Sequence, residues 1–142
     1  MIRWWDQPLA GEIVWSYFPN EVQKIPPEKP RPALIIEVFD DDAPEFGVLV
    51  AYGTSQRVDT LYRGEFSIYI GDGDAYRAAG LSYDTKFNFG RRLSLPFNDE
   101  YFAVPPGAPM GQRPKLGVLH PSLIKRASAA WFAIQKNSGR YN

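Results

Sequence analysis

The residues of this 142-residue chain that are best suited to chemistry lie at the ends of two apolar segments. Arg31 stands between two prolines, directly before the apolar run 33–36, and the prolines hold its backbone extended. Thr54 and Ser55 follow a second apolar run, 46–52. A guanidinium that keeps its charge, together with two hydroxyl donors, is suited to binding a phosphate group. We therefore predict a phosphate site at Arg31, Thr54 and Ser55.

The composition excludes several kinds of site. The chain has no Cys and a single His, His120, which excludes disulfides, thiol nucleophiles and metal sites built on Cys or on several His residues. Acid–base chemistry must then use Arg, Lys, carboxylates, Tyr or hydroxyls. The acidic run 40–42 is typical of a solvated turn, so we expect no metal and no cofactor.

The formal net charge is zero, but the charges are unevenly spread along the chain. Residues 1–85 carry 7 Lys and Arg against 14 Asp and Glu, whereas residues 86–142 carry 9 against 2. This asymmetry suits a protein with one face for an anionic ligand such as nucleic acid. The alternative is that the two halves interleave in the fold and neutralise each other.

Short β-branched and aromatic runs separated by turn residues predict a mainly β fold. A helix is predicted from about Pro121, capped by His120 or Ser122, with apolar residues at helical spacing. We expect a single α+β domain over 1–142, a small β-barrel closed by this C-terminal helix. The predicted strands cover residues 12–18, 32–39, 46–52, 66–70, 85–90, 92–96 and 115–119.

Three local features carry further expectations. Residues 71–80 predict a turn with a short helix, capped by Asp72 or Asp74 and ended by Gly80. The alternation over 86–89 predicts that the two Phe side chains point inward and that Lys86 and Asn88 point outward. No segment has 18 uninterrupted apolar residues and the first residues lack a signal-peptide core, so we expect a soluble cytoplasmic protein without membrane contact.

The order of several short motifs resembles the MazF/PemK family of toxins from bacterial type II toxin–antitoxin pairs. These motifs are Gly-Glu-Ile-Val-Trp at 11–15, Arg-Pro-Ala-Leu-Ile-Ile at 31–36, Thr-Ser at 54–55 and Leu-Gly-Val-Leu at 116–119, followed by the closing helix. The resemblance implies an SH3-like barrel, a homodimer, and a growth-inhibiting hydrolase that cleaves single-stranded RNA and is blocked by a cognate antitoxin protein.

The resemblance also implies roles for individual residues. The arginine and threonine of the family match Arg31 and Thr54 and would be catalytic, with Ser55 assisting. RNA contacts are expected from four further residues: Lys29, Gln56, Arg91 and Arg92. Some family members carry an acidic residue beside an arginine in a later strand, and the matching stretch 86–92 has none here. Asp99 and Glu100 could replace it only if the alignment shifts.

Two other functions are compatible with the same fold. The chain could be a catalytically inactive MazF-like barrel that binds without cutting. It could also act on DNA gyrase, as the CcdB toxins of similar fold do, although the polar tail 137–142 gives no sign of this activity. The leading expectation is a metal-independent endoribonuclease in which the 2′-hydroxyl of the RNA attacks the adjacent phosphorus.

Overall fold

Six antiparallel strands form one sheet that curls into a half-barrel, and a C-terminal helix packs against it. The computed structural model describes residues 1–19, 26–27 and 29–139, without the side chains of 136–139. The strands are β1 (Glu12–Ser16), β2 (Arg31–Phe39), β3 (Gly47–Thr54), β4 (Glu65–Ile68), β5 (Thr85–Pro96) and β6 (Lys115–Val118). The helices are α1 (Asp74–Ala79) and α2 (Ile124–Gly139), each preceded by a 3₁₀ turn, Ile70–Asp72 and Pro121–Leu123.

The strands are ordered β4-β5-β3-β2-β1-β6 across the sheet. The predicted α+β class, with a curled antiparallel sheet and a closing C-terminal helix, is thus confirmed. Residues 101–103 run beside β1: the Tyr17 N–H donates to the Tyr101 carbonyl oxygen (2.7 Å) and the Ala103 N–H to the Trp15 carbonyl oxygen (3.1 Å). These two hydrogen bonds hold the segment that follows β5 against β1. The chain thus returns from one side of the sheet to the other.

Both faces of the central strands are buried, as the nearly continuous apolar run of β2 predicts. Residues on one face pack against the helices; they include Ile13, Leu34, Phe66, Phe87, Phe89, Leu123 and Ala127. Residues on the other face fill the inside of the half-barrel; they include Val14, Ala33, Ile35, Val50, Leu95, Phe97 and Phe102. We call these two groups the helix-side core and the barrel-side core.

The side chains of β5 change faces part-way along the strand, because its pairing with β3 is interrupted. Tyr52 pairs with Asn88, but the preceding Ala51 pairs with Arg92, so three residues of β5 are inserted. An odd insertion exchanges the faces to which side chains point. Phe87 therefore lies in the helix-side core and Leu95 in the barrel-side core, although both have odd numbers. The sequence predicted two separate strands here.

The short helix α1 ends as predicted but begins differently. Gly80 follows it in the left-handed conformation, with φ of 70°. The residue before the helix is Gly73, which offers no capping side chain, so the prediction of an Asp cap is wrong. At the start of the 3₁₀ turn before α2, the His120 side chain accepts a hydrogen bond from the Ser122 N–H (3.1 Å), which confirms the predicted cap.

An ion pair joins α2 to the turn before α1. Two nitrogens of Arg126 donate to the Asp72 carboxylate at 2.8 and 3.0 Å, and the first of these nitrogens also donates to the Ser67 carbonyl oxygen at 2.9 Å. The hydrogen bonds from Arg126 lower the pKa of Asp72, with a further contribution from the Tyr69 N–H, and outweigh the opposite effect of burial. The pair therefore stabilises the docking of α2.

No helix in the described part of the chain is long and apolar enough to cross a membrane. The predicted loop 20–29, which could cover the candidate site, lies largely outside the described residues, as does the end of the polar tail.

We predict that Asp72→Asn destabilises the fold at pH 7 by about 1 kcal/mol, as expected for a partly exposed ion pair. The pKa of Asp72 is lower in the folded chain than its ordinary value of 3.8, so the stabilisation is complete above that value and is lost as the pH falls through the folded-state pKa. Urea unfolding should therefore show a difference between variant and native protein that shrinks towards pH 2.5.

The matched control is Asp74→Asn, because the ion pair of Asp74 with Arg77 is highly exposed. This control should change stability by less than about 0.5 kcal/mol. A loss at Asp72 that equals the loss at Asp74, or that is unchanged at pH 2.5, would contradict the role assigned to the Asp72 pair.

Candidate functional site

A row of polar side chains crosses the sheet at one end of the half-barrel, on the barrel-side face. In the register of the strands, Ser16 pairs with Arg31, Thr54 pairs with Lys86, and Lys86 pairs with Ser67. The β2–β3 register, continued two residues beyond the pair Ala33 and Tyr52, sets Arg31 opposite Thr54. Directly opposed residues in antiparallel strands point to the same face. The structure thus brings the two predicted catalytic residues to neighbouring strand ends on one face.

Gly53 allows the two strands to approach closely at this point. A Cβ atom at Gly53 would lie 2.8 Å from the Phe87 ring, and closer still to the Pro32 carbonyl oxygen. A larger residue would have to move β2 or the aromatic core behind it. The glycine that precedes the Thr-Ser pair therefore has a packing role, which helps to hold the ends of β2 and β3 together.

Thr54 lies at the edge of a shallow pocket of about 230 Å³, which we call the β3–β5 pocket. Its lining comprises Tyr52, Thr54, Gln56, Arg57, Glu65, Lys86, Asn88 and Arg91. Three of the residues predicted from the sequence, Thr54, Gln56 and Arg91, are therefore brought together. The Thr54 hydroxyl oxygen accepts a hydrogen bond from the Gln56 N–H (3.2 Å), which orients the loop that follows β3.

Three predicted residues, Arg31, Ser55 and Lys29, do not line this pocket. Arg31 is exposed at the start of β2, and its closest hydrogen-bond partner is the Pro30 carbonyl oxygen at 3.5 Å. Arg31 forms no ion pair with any described residue, and so none with Glu37, an acidic residue of the same strand. Glu28 lies outside the described residues. Ser55 and Lys29 are exposed. The Arg31 guanidinium is thus accessible to a ligand from solvent.

Arg92 lies away from this pocket. Its guanidinium carbon is 5.2 Å from the centre of the Trp131 ring on α2, and one nitrogen donates to the Phe89 carbonyl oxygen at 2.6 Å. At the insertion in β5 the two adjacent arginines point to different faces, so that Arg91 contacts the Tyr52 ring and Arg92 the Trp131 ring. The expected RNA contact of Arg92 stays a prediction, with no support from the pocket.

The floor of the β3–β5 pocket contains a buried ion pair. Lys86 Nζ lies 3.1 Å from Glu65 Oε1 and 2.9 Å from the Thr60 carbonyl oxygen. The two side chains expose only 8% and 9% of their surface. The prediction that Lys86 points outward is therefore wrong. Its side chain is buried at the pocket floor, where the Glu65 carboxylate of β4 compensates its charge.

Glu65 is a carboxylate that the fold places beside the stretch 86–92, which has no acidic residue of its own. Its Oε1 accepts a second hydrogen bond, from the Tyr62 N–H at 2.8 Å, so the carboxylate is held in place. Asp99, by contrast, accepts a hydrogen bond from the Arg3 N–H near the N-terminus and does not line the pocket. Neither Asp99 nor Glu100 takes part in this pocket.

Two arginines raise the positive charge at the pocket surface. The Arg91 guanidinium carbon lies 4.0 Å from the centre of the Tyr52 ring, a cation–π contact that holds the side chain over the pocket. Arg57 has a φ of 51°, which is uncommon for a residue with a side chain, and so stands in a constrained turn. Within the described residues neither arginine forms an ion pair. The pocket surface is therefore cationic.

Sequence reasoning missed five of the pocket residues: Arg57, in the turn after β3, and four strand residues, Tyr52, Glu65, Lys86 and Asn88. The positions of the four strand residues depend on the register of β3, β4 and β5, which the sequence does not specify. Glu65 begins a short strand after a polar loop, and nothing in that loop predicts the pairing with Lys86. One signal was present: Lys86 stands directly before the apolar Phe87 in β5, and a Lys is costly to bury without a carboxylate partner.

The arrangement can bind an anion but offers no metal site. Among the residues that the structure describes, no group of three or more His, Cys, Asp or Glu side chains is placed to hold a metal ion. The fold and pocket define an α+β protein with a cationic site at the open end of a curled antiparallel sheet. Neither a scan against protein-family models nor a search of curated proteins finds a match to this chain.

We predict that breaking the buried ion pair is costly. Lys86→Met or Glu65→Gln should each destabilise the fold by about 3 kcal/mol, because the remaining charged or polar group is left buried without its partner. The double variant Lys86→Met/Glu65→Met should cost less than the sum of Lys86→Met and Glu65→Met alone. Chemical denaturation of the native protein and all the variants would measure this coupling, and strictly additive losses would contradict it.

Proposed function

We propose that this protein is a metal-independent endoribonuclease of the MazF/PemK type. It cleaves single-stranded RNA at a site formed where β2 begins and β3 ends. The single observation that carries this proposal is that Arg31 and Thr54 lie at neighbouring strand ends and point to one sheet face, with Thr54 lining a cationic pocket. The resemblance in the sequence contributes the reaction, because phosphate binding alone is shared by many functions.

The proposed reaction needs no group beyond the RNA and the protein. The 2′-hydroxyl oxygen forms a bond to the adjacent phosphorus, and the bond from phosphorus to the 5′-oxygen of the next nucleotide breaks. The products are a 2′,3′-cyclic phosphate and a 5′-hydroxyl end. One proton leaves the 2′-hydroxyl and one is added to the departing 5′-oxygen, so the protein must handle two proton transfers and the added negative charge.

The cations and the hydroxyl suit the developing charge. Arg31 can donate two parallel N–H groups to the phosphoryl oxygens, and Thr54 can donate its hydroxyl to another. Arg57 and Arg91 add positive charge at the pocket surface. In this proposal Glu65, the carboxylate that lines the pocket, accepts the first proton. It lies 3.1 Å from Lys86, which can supply the second.

The same ion pair favours a second candidate, an inactive barrel that binds RNA without cutting it. The Glu65 Oε1 already accepts hydrogen bonds from Lys86 and from the Tyr62 N–H, which leaves less of its accepting capacity for a substrate hydroxyl. RNA binding by the cationic pocket does not require a base. The nuclease and the inactive barrel are therefore both expected to bind RNA, and only the nuclease is expected to cleave it.

We predict that Arg31→Ala lowers RNA cleavage by at least about 10²-fold, the typical effect of removing one donor to a developing oxyanion. Purified protein would be incubated with mixed-sequence single-stranded RNA in EDTA, and the 3′ ends of the fragments would be read for cyclic phosphate. Expression in bacteria should arrest growth with the native protein and not with Arg31→Ala.

The matched control is Arg77→Ala, an exposed arginine on α1 that pairs with Asp74 outside the pocket. It should leave cleavage unchanged, and circular dichroism should show that all three proteins are folded. Cleavage that survives in Arg31→Ala would reject the site. Binding of RNA by the native protein without any cleavage would reject the nuclease and support the inactive barrel.

The resemblance also implies a homodimer, and one surface supports this part of the proposal. An apolar groove of about 400 Å³ lies between β2 and α2, lined by Leu34, Ile36, Phe89 and Trp131 among others. On α2 beside it, Ile124 and Phe132 expose 49% and 65% of their surface. The exposed apolar side chains of one copy can fill the groove of the other across a twofold axis.

A cognate antitoxin is expected at the other site, where an acidic segment of the antitoxin would lie over the cationic β3–β5 pocket.

We predict that Phe132→Glu shifts the protein from dimer to monomer, because a charge would enter an apolar interface. Sedimentation equilibrium at micromolar concentration would measure the mass. Ala129→Glu, at an exposed α2 position that does not line the groove, is the control and should stay dimeric. A native protein that sediments as a monomer would contradict the proposed dimer.

A further inference from the structure

A second pocket, of about 290 Å³, lies away from the candidate site and shares no residue with the β3–β5 pocket. It is enclosed by the N-terminal segment 3–8, by β1, and by the segment 110–115 that leads into β6. We call it the Glu12 pocket. Its volume is near the lower end of the range for small-molecule sites, which suits one nucleobase better than a larger ligand.

A buried carboxylate lies in this pocket with unused hydrogen-bonding capacity. Glu12 is only 8% exposed, and its Oε2 accepts a hydrogen bond from the Leu9 N–H at 2.8 Å. Within the described residues it forms no ion pair, although Arg113 and Lys115 line the same pocket. A carboxylate has about four acceptor positions, so most of those of Glu12 are open to a ligand. Burying such a group is costly unless something pairs with it.

The aromatic residues beside Glu12 suit a planar ligand. Trp4 and Trp5 both line the pocket. The Trp5 indole N–H donates to the Phe102 carbonyl oxygen at 3.2 Å and its ring is buried, so this residue is a fixed wall. Trp4 is half-buried and keeps an accessible surface. The Arg3 guanidinium carbon already lies 4.3 Å from the centre of the Trp5 ring, so Trp4 is the residue on which a nucleobase can stack.

The cations of the pocket decide between possible partners of Glu12. An arginine or lysine side chain from a peptide could pair with Glu12, but the pocket lining already carries the three cations Arg3, Arg113 and Lys115 against the two carboxylates Glu12 and Asp6, so a further cation is disfavoured. A neutral base that carries N–H donors meets no such repulsion. The same three cations are suited to the phosphate of a nucleotide whose base occupies the pocket. The pocket thus combines a carboxylate for a base with cations for its phosphate.

We propose that the Glu12 pocket binds guanine, as a nucleotide or as a base of single-stranded RNA. A carboxylate that accepts two adjacent N–H donors matches the N1–H and 2-amino groups on the Watson–Crick edge of guanine. Adenine, cytosine and uracil each place an acceptor beside their donor on that edge. The inference does not rest on the proposed nuclease activity, because guanine binding at this pocket requires no cleavage.

Nucleotide binding to the native protein tests the proposal directly. Guanosine 5′-monophosphate would be compared with inosine 5′-monophosphate, which lacks only the 2-amino group, by isothermal titration in EDTA. The guanine nucleotide should bind at least about tenfold more tightly, within the discrimination expected for a bidentate base contact. Equal affinities, or no binding of either RNA or nucleotide probe at millimolar concentration, would overturn the proposal.

A variant then assigns the discrimination to the carboxylate. Glu12→Gln keeps an acceptor for the Leu9 N–H but presents an amide to the base, so the guanine preference over inosine should disappear. Glu100→Gln, an exposed carboxylate outside the pocket, is the control and should keep the preference. A guanine preference that is unchanged in Glu12→Gln would overturn the assignment. If Glu12 had only a structural role, the variant would weaken the binding of both nucleotides and keep the preference between them.

Two RNA probes distinguish the source of the guanine. They are 2′-O-methyl pentamers of uracil with a central guanine or a central hypoxanthine, which 2′-hydroxyl attack cannot cut. If the guanine pentamer binds at least tenfold more tightly than both the hypoxanthine pentamer and the free nucleotide, the pocket reads RNA; if the two pentamers bind alike while the free nucleotide keeps its preference over inosine 5′-monophosphate, it accepts the nucleotide itself. Both results support guanine binding, and neither depends on whether the protein cleaves RNA.

Discussion

The three-residue insertion in β5 is the constraint on which the rest of the structure depends. Before the insertion, Phe87 points to the helix-side core, and after it Leu95 points to the barrel-side core. The odd-numbered residues of β5 therefore face first one core and then the other, because an odd insertion exchanges the two faces of a strand. The same exchange turns Arg91 to the Tyr52 ring and Arg92 to the Trp131 ring. Both the packing of α2 and the surface of the β3–β5 pocket follow from it.

The cationic pocket is assembled from both halves of the chain. Arg57 belongs to the acidic half of the sequence, and Lys86 and Arg91 to the basic half. The halves therefore meet at this pocket instead of forming two faces, and the local charge does not follow from the charge along the chain. Since Lys86 is compensated by Glu65, the attraction for an anion comes from the arginines near solvent, whose effect salt screens.

The sequence predicted the elements of this fold better than it predicted their pairing. The class, the closing helix, its His120 cap and the adjacency of Arg31 and Thr54 at strand ends all followed from apolar runs, prolines and caps. The acid near the site did not, because Glu65 reaches Lys86 across a strand pairing 21 residues apart. Glu12 was likewise hidden inside a short apolar strand. Local patterns specify elements, whereas such contacts depend on register.

The ion pair between Lys86 and Glu65 has a consequence for the motions of the sheet. β4 has four residues, lies at the edge of the sheet and, within the described part of the chain, pairs with β5 alone. Local opening of such an edge would separate the two charges inside the protein before water could reach them both. Fraying of β4 and opening of the pocket floor are then one event with one free energy. The amide hydrogens of β4 should thus exchange as a cooperative unit, although short edge strands usually fray from their ends.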